Sequence, residues 1–351
     1  MDGLFLIFLS SGLFLGWSLG ANDAANIFGT AVGTKMVKFR TAAAISSIFI
    51  IIGAVFAGSG ASRTLNELGE VNTLAGAFMV ALSAAVSVYS MVKSGIPVST
   101  SQAIVGAIVG WNFYAGKSTD YGILSQIVST WIICPVLSGI IAIGLYFCIR
   151  RLIRKSHLHL LRQDSYTRIG LILAGAFGAY ALGANNIANV MGVFVDSSPL
   201  KPITFSNGST LNASQLLFLI GGISISVGVA TYSHKVINTV GISLMSMTPV
   251  IAWIVVISQS VVLFLFASQG LQNFLQSNGL PAFPLVPVSS SQAVIGAAIG
   301  IGIAKGGRDI HWPLLGRIAL GWITTPVISG ILCFISLFFL ENVFNQMVYA
   351  D

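Results

Sequence analysis

Apolar runs long enough to cross a bilayer, about 20 residues each, recur from one end of this 351-residue chain to the other. They cover roughly residues 4–33, 42–60, 73–92, 96–115, 121–149, 169–195, 213–232, 238–268, 286–304 and 312–340. Only 8% of the residues are charged, where soluble domains carry about 25%, so a water-soluble fold is excluded. The runs are continuous and do not alternate every second residue, which excludes a transmembrane β-barrel. The fold class expected is an all-α polytopic membrane protein.

Two polar stretches interrupt the apolar pattern, and each occurs twice. Gly20-Ala21-Asn22-Asp23-Ala24-Ala25-Asn26 lies inside the first run and returns as Gly183-Ala184-Asn185-Asn186-Ile187-Ala188-Asn189. Pro97-Val98-Ser99-Thr100-Ser101-Gln102 returns as Pro287-Val288-Ser289-Ser290-Ser291-Gln292. A third match, without polar character at its start, relates Trp131–Gly139 to Trp322–Gly330. The offsets are 163, 190 and 191 residues, so the halves are colinear, with about 27 extra residues between the second half's two motifs. Residues 1–149 form the first membrane repeat, 150–168 a basic linker and 169–351 the second repeat. Five spans per half is an odd number, which inverts the second repeat relative to the first. The motifs are expected to break their helices or make them re-entrant, so that the breaks meet at the midplane, where a transporter of this build holds its substrate. A single Gly-Ala-Asn reads equally well as a helix-packing notch; duplication of both motifs in order is what favours a site.

The basic residues orient the chain. With residues 150–168 on the cytoplasmic side and every run crossing once, both termini lie outside. Fourteen Lys and Arg, among them Lys35, Lys38, Arg40, Lys93, Lys235 and Arg308, then fall on the cytoplasmic side. The outside keeps three, Arg63, Lys117 and Lys201, as the positive-inside rule requires. A re-entrant hairpin at either Pro-Val-Ser segment would change the count. The first run lacks a basic leader and carries the first motif, so it reads as a mature helix and not a cleaved signal. Cys134, Cys148 and Cys333 sit in apolar runs at no metal-like spacing and read as packing residues. His157, His159, His234 and His311 fall in loops or at helix ends. Trp131 and Trp322 are expected as interfacial anchors, and Pro135 and Pro326 as kinks. Asn207 and Asn212 each begin an Asn-x-Ser pattern in a polar loop, a short and frequent match.

Asp23 is the only acidic residue deep inside an apolar run. A bare carboxylate there must meet a cation or be protonated. Asn22 and Asn26, four residues apart, share one helical face. Their amide oxygens, the carboxylate and backbone carbonyls freed at a break are hard ligands that suit sodium, whereas a transition metal would ask for His or Cys. The expected sodium ligands are Asn22, Asp23, Asn26, Ser99, Asn185, Asn186, Asn189 and Ser289. The Pro-Val-Ser segments begin helices whose first amides and hydroxyls make an anion site. None of the four motifs contains Lys or Arg. A tetrahedral oxyanion is expected on Asp23, Asn26, Ser99, Thr100, Ser101, Gln102, Asn186, Ser289, Ser290, Ser291 and Gln292, its charge offset by the cations.

At these residues the chain resembles the inorganic phosphate transporter (PiT) family, the sodium- or proton-coupled phosphate symporters. The resemblance rests on Gly20–Asn26 with the following Phe28-Gly29-Thr30, on Gly183–Asn189 and on both Pro-Val-Ser segments. It implies an inverted-repeat fold, phosphate as substrate, cation coupling and a homodimer. It carries a binding role to Asp23, Asn26, Asn186, Asn189 and the Ser, Thr and Gln positions after Pro97 and Pro287. Many relatives have histidine where this chain has Gln102 and Gln292, which favours sodium over protons. The central linker is short beside the large insertion of animal members. The expectation is a symporter importing phosphate with sodium by alternating access across the plasma membrane, with no cofactor and no nucleic-acid partner. Proton-coupled, sulfate- or arsenate-carrying permeases of the same fold and a passive anion channel are the alternatives. An enzyme is disfavoured, because no Ser-His-Asp set, metal cluster or nucleotide loop is present.

Overall fold

The computed structural model describes residues 3–93, 98–156, 159–206, 208–234, 247–307 and 310–350. Pro97, His157, Asn207, Lys235 and Arg308, each given a role above, lie outside the described residues. The first half holds α1 (Gly3–Gly33), α2 (Phe39–Ala57), α3 (Ser59–Gly69), α4 (Leu74–Lys93), α5 (Thr100–Ala115) and α6 (Tyr121–Ser156). The second holds α7 (Leu160–Met191), α8 (Ala213–Thr231), α9 (Pro249–Leu265), α10 (Gln269–Ser277), α11 (Ser290–Ala304) and α12 (Trp312–Asn342). The polar loop after α7 carries a small antiparallel hairpin that pairs Ile203 with Leu211 and Thr204 with Thr210.

Seven of these helices are long and apolar enough to span a membrane, or eight if α9 and α10, bent by 67° at their junction, make one broken span. About five runs per half were expected, some of them broken or re-entrant. α5 and α11 fall short because their helices begin only at Thr100 and Ser290, after extended residues. With 16 and 15 residues they reach about 24 and 22 Å at 1.5 Å per residue, against about 30 Å of hydrocarbon. Two short helices were not expected. α3 forms where a loop was read, because Leu65 and Leu68 bury one face while Arg63 and Glu67 pair at 2.9 Å on the other. α10 buries no residue completely.

The helix packing keeps its pattern when the halves are exchanged. α2 lies on α7 as α8 lies on α1; α5 on α12 as α11 on α6; α4 on α1 as α9 on α7. Glycines at the crossings show how close the contacts are. In the first pair of crossings Gly20 abuts the carbonyl of Ile225, and Gly183 abuts that of Ile50. In the second, a Cβ on Gly106 would lie 2.6 Å from Pro326 Cα, and one on Gly296 would lie 2.5 Å from Pro135 Cα. Gly106 and Gly110 meet Pro326 and Gly330 in ascending order, so α5 runs parallel to α12, and by the same test α11 runs parallel to α6.

One structural expectation is overturned here. Neither Gly20–Asn26 nor Gly183–Asn189 breaks its helix; α1 and α7 run through both stretches. Their glycines admit a neighbouring backbone, and their asparagine side chains find partners off the helix, so no helical carbonyl is released. The breaks fall instead at residues 98–99, before α5, at the α9–α10 bend, and at the extended residues 280–289.

Other readings are settled residue by residue. Pro135 and Pro326 stay inside continuous helices, where their backbones receive Gly296 and Gly106. The Trp131 and Trp322 indole nitrogens are buried without a partner, which an interfacial anchor would not be; Trp131 lines an apolar cavity of about 640 Å³ between α5, α6 and α12. Cys134 and Cys333 are buried, but Cys148 is exposed on α6. His159 and His311 stand at the starts of α7 and α12, and His234 sits edge-on to Phe39. Asn212 forms a capping box with Gln215 at the start of α8. Ile132, Val136 and Ile140 on α6, with Ile323, Val327 and Ile331 on α12, are exposed stripes at helical spacing that lipid tails would cover.

Candidate functional site

The four motif segments converge. Ser99 caps α5 by accepting from the Gln102 amide at 3.2 Å, and Ser289 caps α11 by accepting from the Gln292 amide at 3.2 Å. The Ser99 and Ser289 carbonyls accept the first helical amides, from Ala103 at 3.1 Å and Ala293 at 3.0 Å, and the residues before them stay outside the helices. The two segments are stitched to each other. Ser101 of the first half donates to the Val288 carbonyl at 3.1 Å, and Ser291 of the second donates to the Val98 carbonyl at 2.9 Å.

The motif helices hold these segments from behind. Asn22 Nδ2 donates to the Val98 carbonyl at 3.2 Å and to Asp23 Oδ1 at 2.7 Å. Asn185 grips its own half's segment with both ends of its amide: Oδ1 accepts from Val288 N at 2.8 Å, and Nδ2 donates to Val286 O at 2.9 Å. Each motif helix also reaches across to the other half's helix start. Asp23 takes a hydrogen bond from Ser290, and Asn26 Nδ2 donates to Ser290 Oγ at 3.1 Å. On the other side, Asn189 Nδ2 donates to Ser101 Oγ at 2.8 Å and to Asn186 Oδ1 at 2.9 Å, and Ser101 Oγ stands 3.4 Å from Asn186 Oδ1. The site is therefore two half-sites, each made of a motif helix from one repeat and a helix start from the other.

All the predicted site residues except Asn26 are buried, none more than 4% exposed; Asn26 is half-buried. Among the buried charged and polar side chains of the described residues, Asp23 alone is charged. Several polar atoms in this shell have no protein partner: Thr100 Oγ1, Gln102 Oε1, Gln292 Oε1, Asn186 Nδ2 and Asn189 Oδ1. An unpartnered buried polar atom costs about 1–3 kcal/mol. Five of them in one place, donors and acceptors together, mark a shell built around something polar. No group of three or more His, Cys, Asp or Glu suited to a metal occurs among the described residues.

Sequence reasoning missed two contributions. The carbonyls that bind motif side chains at the breaks come from Val98, Val286 and Val288, not from the motif helices. Gln259 on α9 is fully buried and donates through Nε2 to the Asn26 carbonyl, while its Oε1 has no partner. The signal was present: Ser258-Gln259-Ser260 is a polar triplet inside an apolar run, and polar groups at that depth point to function.

Comparison with known proteins agrees with this architecture. The model of the phosphate transporter family matches residues 19–272 and 280–350. A protein of Methanocaldococcus jannaschii named "Putative phosphate permease" is 27% identical over 92% of this chain and 93% of its own length. A protein of the same description from Pyrococcus abyssi is 25% identical over 95% of this chain and 96% of its own. Among solved structures, one titled "The sodium-dependent phosphate transporter" superposes with a TM-score of 0.73 at 22% identity, covering 95% of this chain and 99% of that one; it shares the fold. With a family model matched over nearly its whole length, this chain is a multi-pass membrane transporter that belongs to the phosphate transporter family.

Proposed function

We propose that the protein imports inorganic phosphate coupled to sodium, by alternating access of its two halves across the plasma membrane. The observation that carries this reading is the charge composition of the site: one buried carboxylate, no basic side chain in any motif, and orphaned donors and acceptors between two helix starts. Phosphate cannot occupy such a place beside Asp23 unless cations enter with it, since burying unpaired charge costs several kcal/mol per ion, as an order of magnitude. The amides and hydroxyls at Ser99–Gln102 and Ser289–Gln292 bind the phosphate oxygens. Asp23, Asn22 Oδ1, Asn26 and the Ser289 hydroxyl hold sodium on one side; Asn186, Asn189 and Ser99 hold it on the other. Asn185, with both amide ends engaged, positions residues 286–288 more than it ligates. The exchange of helix contacts between the halves, with α5 running along α12 as α11 runs along α6, fits two inverted repeats, with both termini outside and residues 150–168 in the cytoplasm.

Labelled-phosphate uptake by the purified protein in proteoliposomes tests this directly. An inward sodium gradient drives uphill accumulation, and excess sulfate does not compete. Accumulation driven by a proton gradient alone would overturn the sodium assignment, and equilibration without any gradient dependence would overturn symport altogether. The same assay probes Gln259. In Gln259→Leu the Asn26 carbonyl, inside α1, loses its second donor, at a cost of about 0.5–1.5 kcal/mol. The sodium concentration for half-maximal uptake then rises by up to about tenfold; an unchanged sodium dependence would show that Gln259 only fills space.

A further inference from the structure

A second ligand niche lies at the end of α6, away from the central site. α6 has 36 residues, about 54 Å at 1.5 Å per residue, far more than about 30 Å of hydrocarbon. Its last turns therefore stand at the level of the lipid headgroups. There α6, the start of α7 and the first turns of α9 enclose a cleft of about 300 Å³. Arg150 and Arg154, one helical turn apart, stand on its α6 side, and Gln163 and Thr248 also line it. Ile149, Ile153 and Ile254 give it an apolar wall. Arg150 packs its guanidinium 5.9 Å from the Tyr146 ring. No acidic residue lines the cleft, and neither arginine is ion-paired with another described residue.

We propose that this cleft binds one anionic phospholipid, its phosphodiester held between Arg150 and Arg154 and its acyl chains laid along the isoleucine wall. The two halves of the cleft match the two halves of such a lipid: unpaired positive charge at headgroup depth, and apolar surface running from there towards the exposed Phe147 on α6. A free phosphate ion would use the arginines and gain nothing from the wall. The bound lipid ties the end of α6 to α9, and so joins the two halves beside their linker. This inference is independent of the proposed transport cycle.

Native mass spectrometry of the purified full chain, with added phosphatidylglycerol or phosphatidylcholine, reads bound lipid and subunit number together. The wild type retains phosphatidylglycerol over phosphatidylcholine. The Arg150→Ala/Arg154→Ala variant binds phosphatidylglycerol about 30-fold more weakly, two basic groups at about 1 kcal/mol each. The Arg150→Lys/Arg154→Lys variant keeps most of the preference and guards against a folding defect in the alanine variant. Equal retention of the two lipids by the wild type would overturn the proposal, as would unaltered retention in the alanine variant. Displacement of phosphatidylglycerol by millimolar inorganic phosphate would reassign the cleft to the free anion. A fall in subunit number with lipid retention unchanged would reassign it to a second copy of the chain.

Discussion

Asp23→Asn abolishes sodium-driven phosphate uptake while leaving the protein folded. The carboxylate is buried with a hydrogen bond from Asn22 at 2.7 Å and another from Ser290, and the asparagine that replaces it is nearly isosteric. Losing the charged partner of a buried cation costs about 3–5 kcal/mol, so uptake at a fixed sodium gradient falls by more than about 100-fold. Stability moves differently. A buried charge without its cation is itself unfavourable, so in sodium-free buffer the variant unfolds no earlier than the wild type. What it loses is the gain on adding sodium, which for the wild type reaches about 2.7 kcal/mol at a hundredfold excess over Kd. Thermal unfolding with and without sodium, beside the uptake assay, separates these effects. Uptake within a few-fold of wild type would remove Asp23 from the cation site.

The second large effect comes from packing. Gly106→Ala and Gly296→Ala each place a Cβ 2.5–2.6 Å from the Cα of a proline in the partner helix, and a backbone atom cannot rotate away. α5 must then separate from α12, or α11 from α6, at about 1–3 kcal/mol or more. Because these helices carry Thr100–Gln102 and Ser290–Gln292 at their starts, the shift also displaces the site. Both variants should lose folded yield and several degrees of melting temperature, and the folded remainder should transport poorly. Gly144→Ala and Gly316→Ala are the controls. Nothing lies within 4 Å of a Cβ at either position, and alanine is the better helix former by about 1 kcal/mol, so they should be neutral or slightly stabilising. If all four variants behaved alike, the close crossings would not be what holds the halves together.

What the sequence made legible follows from which forces act locally. Apolar run length and the scarcity of charge give away the membrane and the helices, because the bilayer acts on every residue of a span. The duplicated motifs do come together in space: Asp23, Asn26, Asn186 and Asn189 meet the helix starts, and Asn22 meets the Val98 carbonyl just before one. The helical state of those motifs was misread. Gly20 and Gly183 look like breakers along the chain, yet their missing Cβ serves Ile225 and Ile50 more than 130 residues away. Gln259 was overlooked although the polar triplet Ser258-Gln259-Ser260 marks it; what that triplet does not give is its partner, a carbonyl on α1. Where α5 and α11 begin was misplaced by four residues each, because a proline starts a segment but only the Ser99 and Ser289 caps start the helix.

The halves match in helix order, crossings and stitched serines, but not in charge: Asp23 faces Asn186 across the same architecture. That mismatch has an electrical consequence. In the proposed sodium-coupled cycle, a carrier that returned empty with Asp23 ionised would carry one net negative charge in the membrane field, which a bound cation cancels. A full elementary charge crossing 100 mV exchanges about 2.3 kcal/mol with the field. In that proposed cycle, with the cell interior negative, the voltage would push the empty carboxylate towards the outer face, so the resting potential itself would reset the unloaded protein to the side from which substrate arrives.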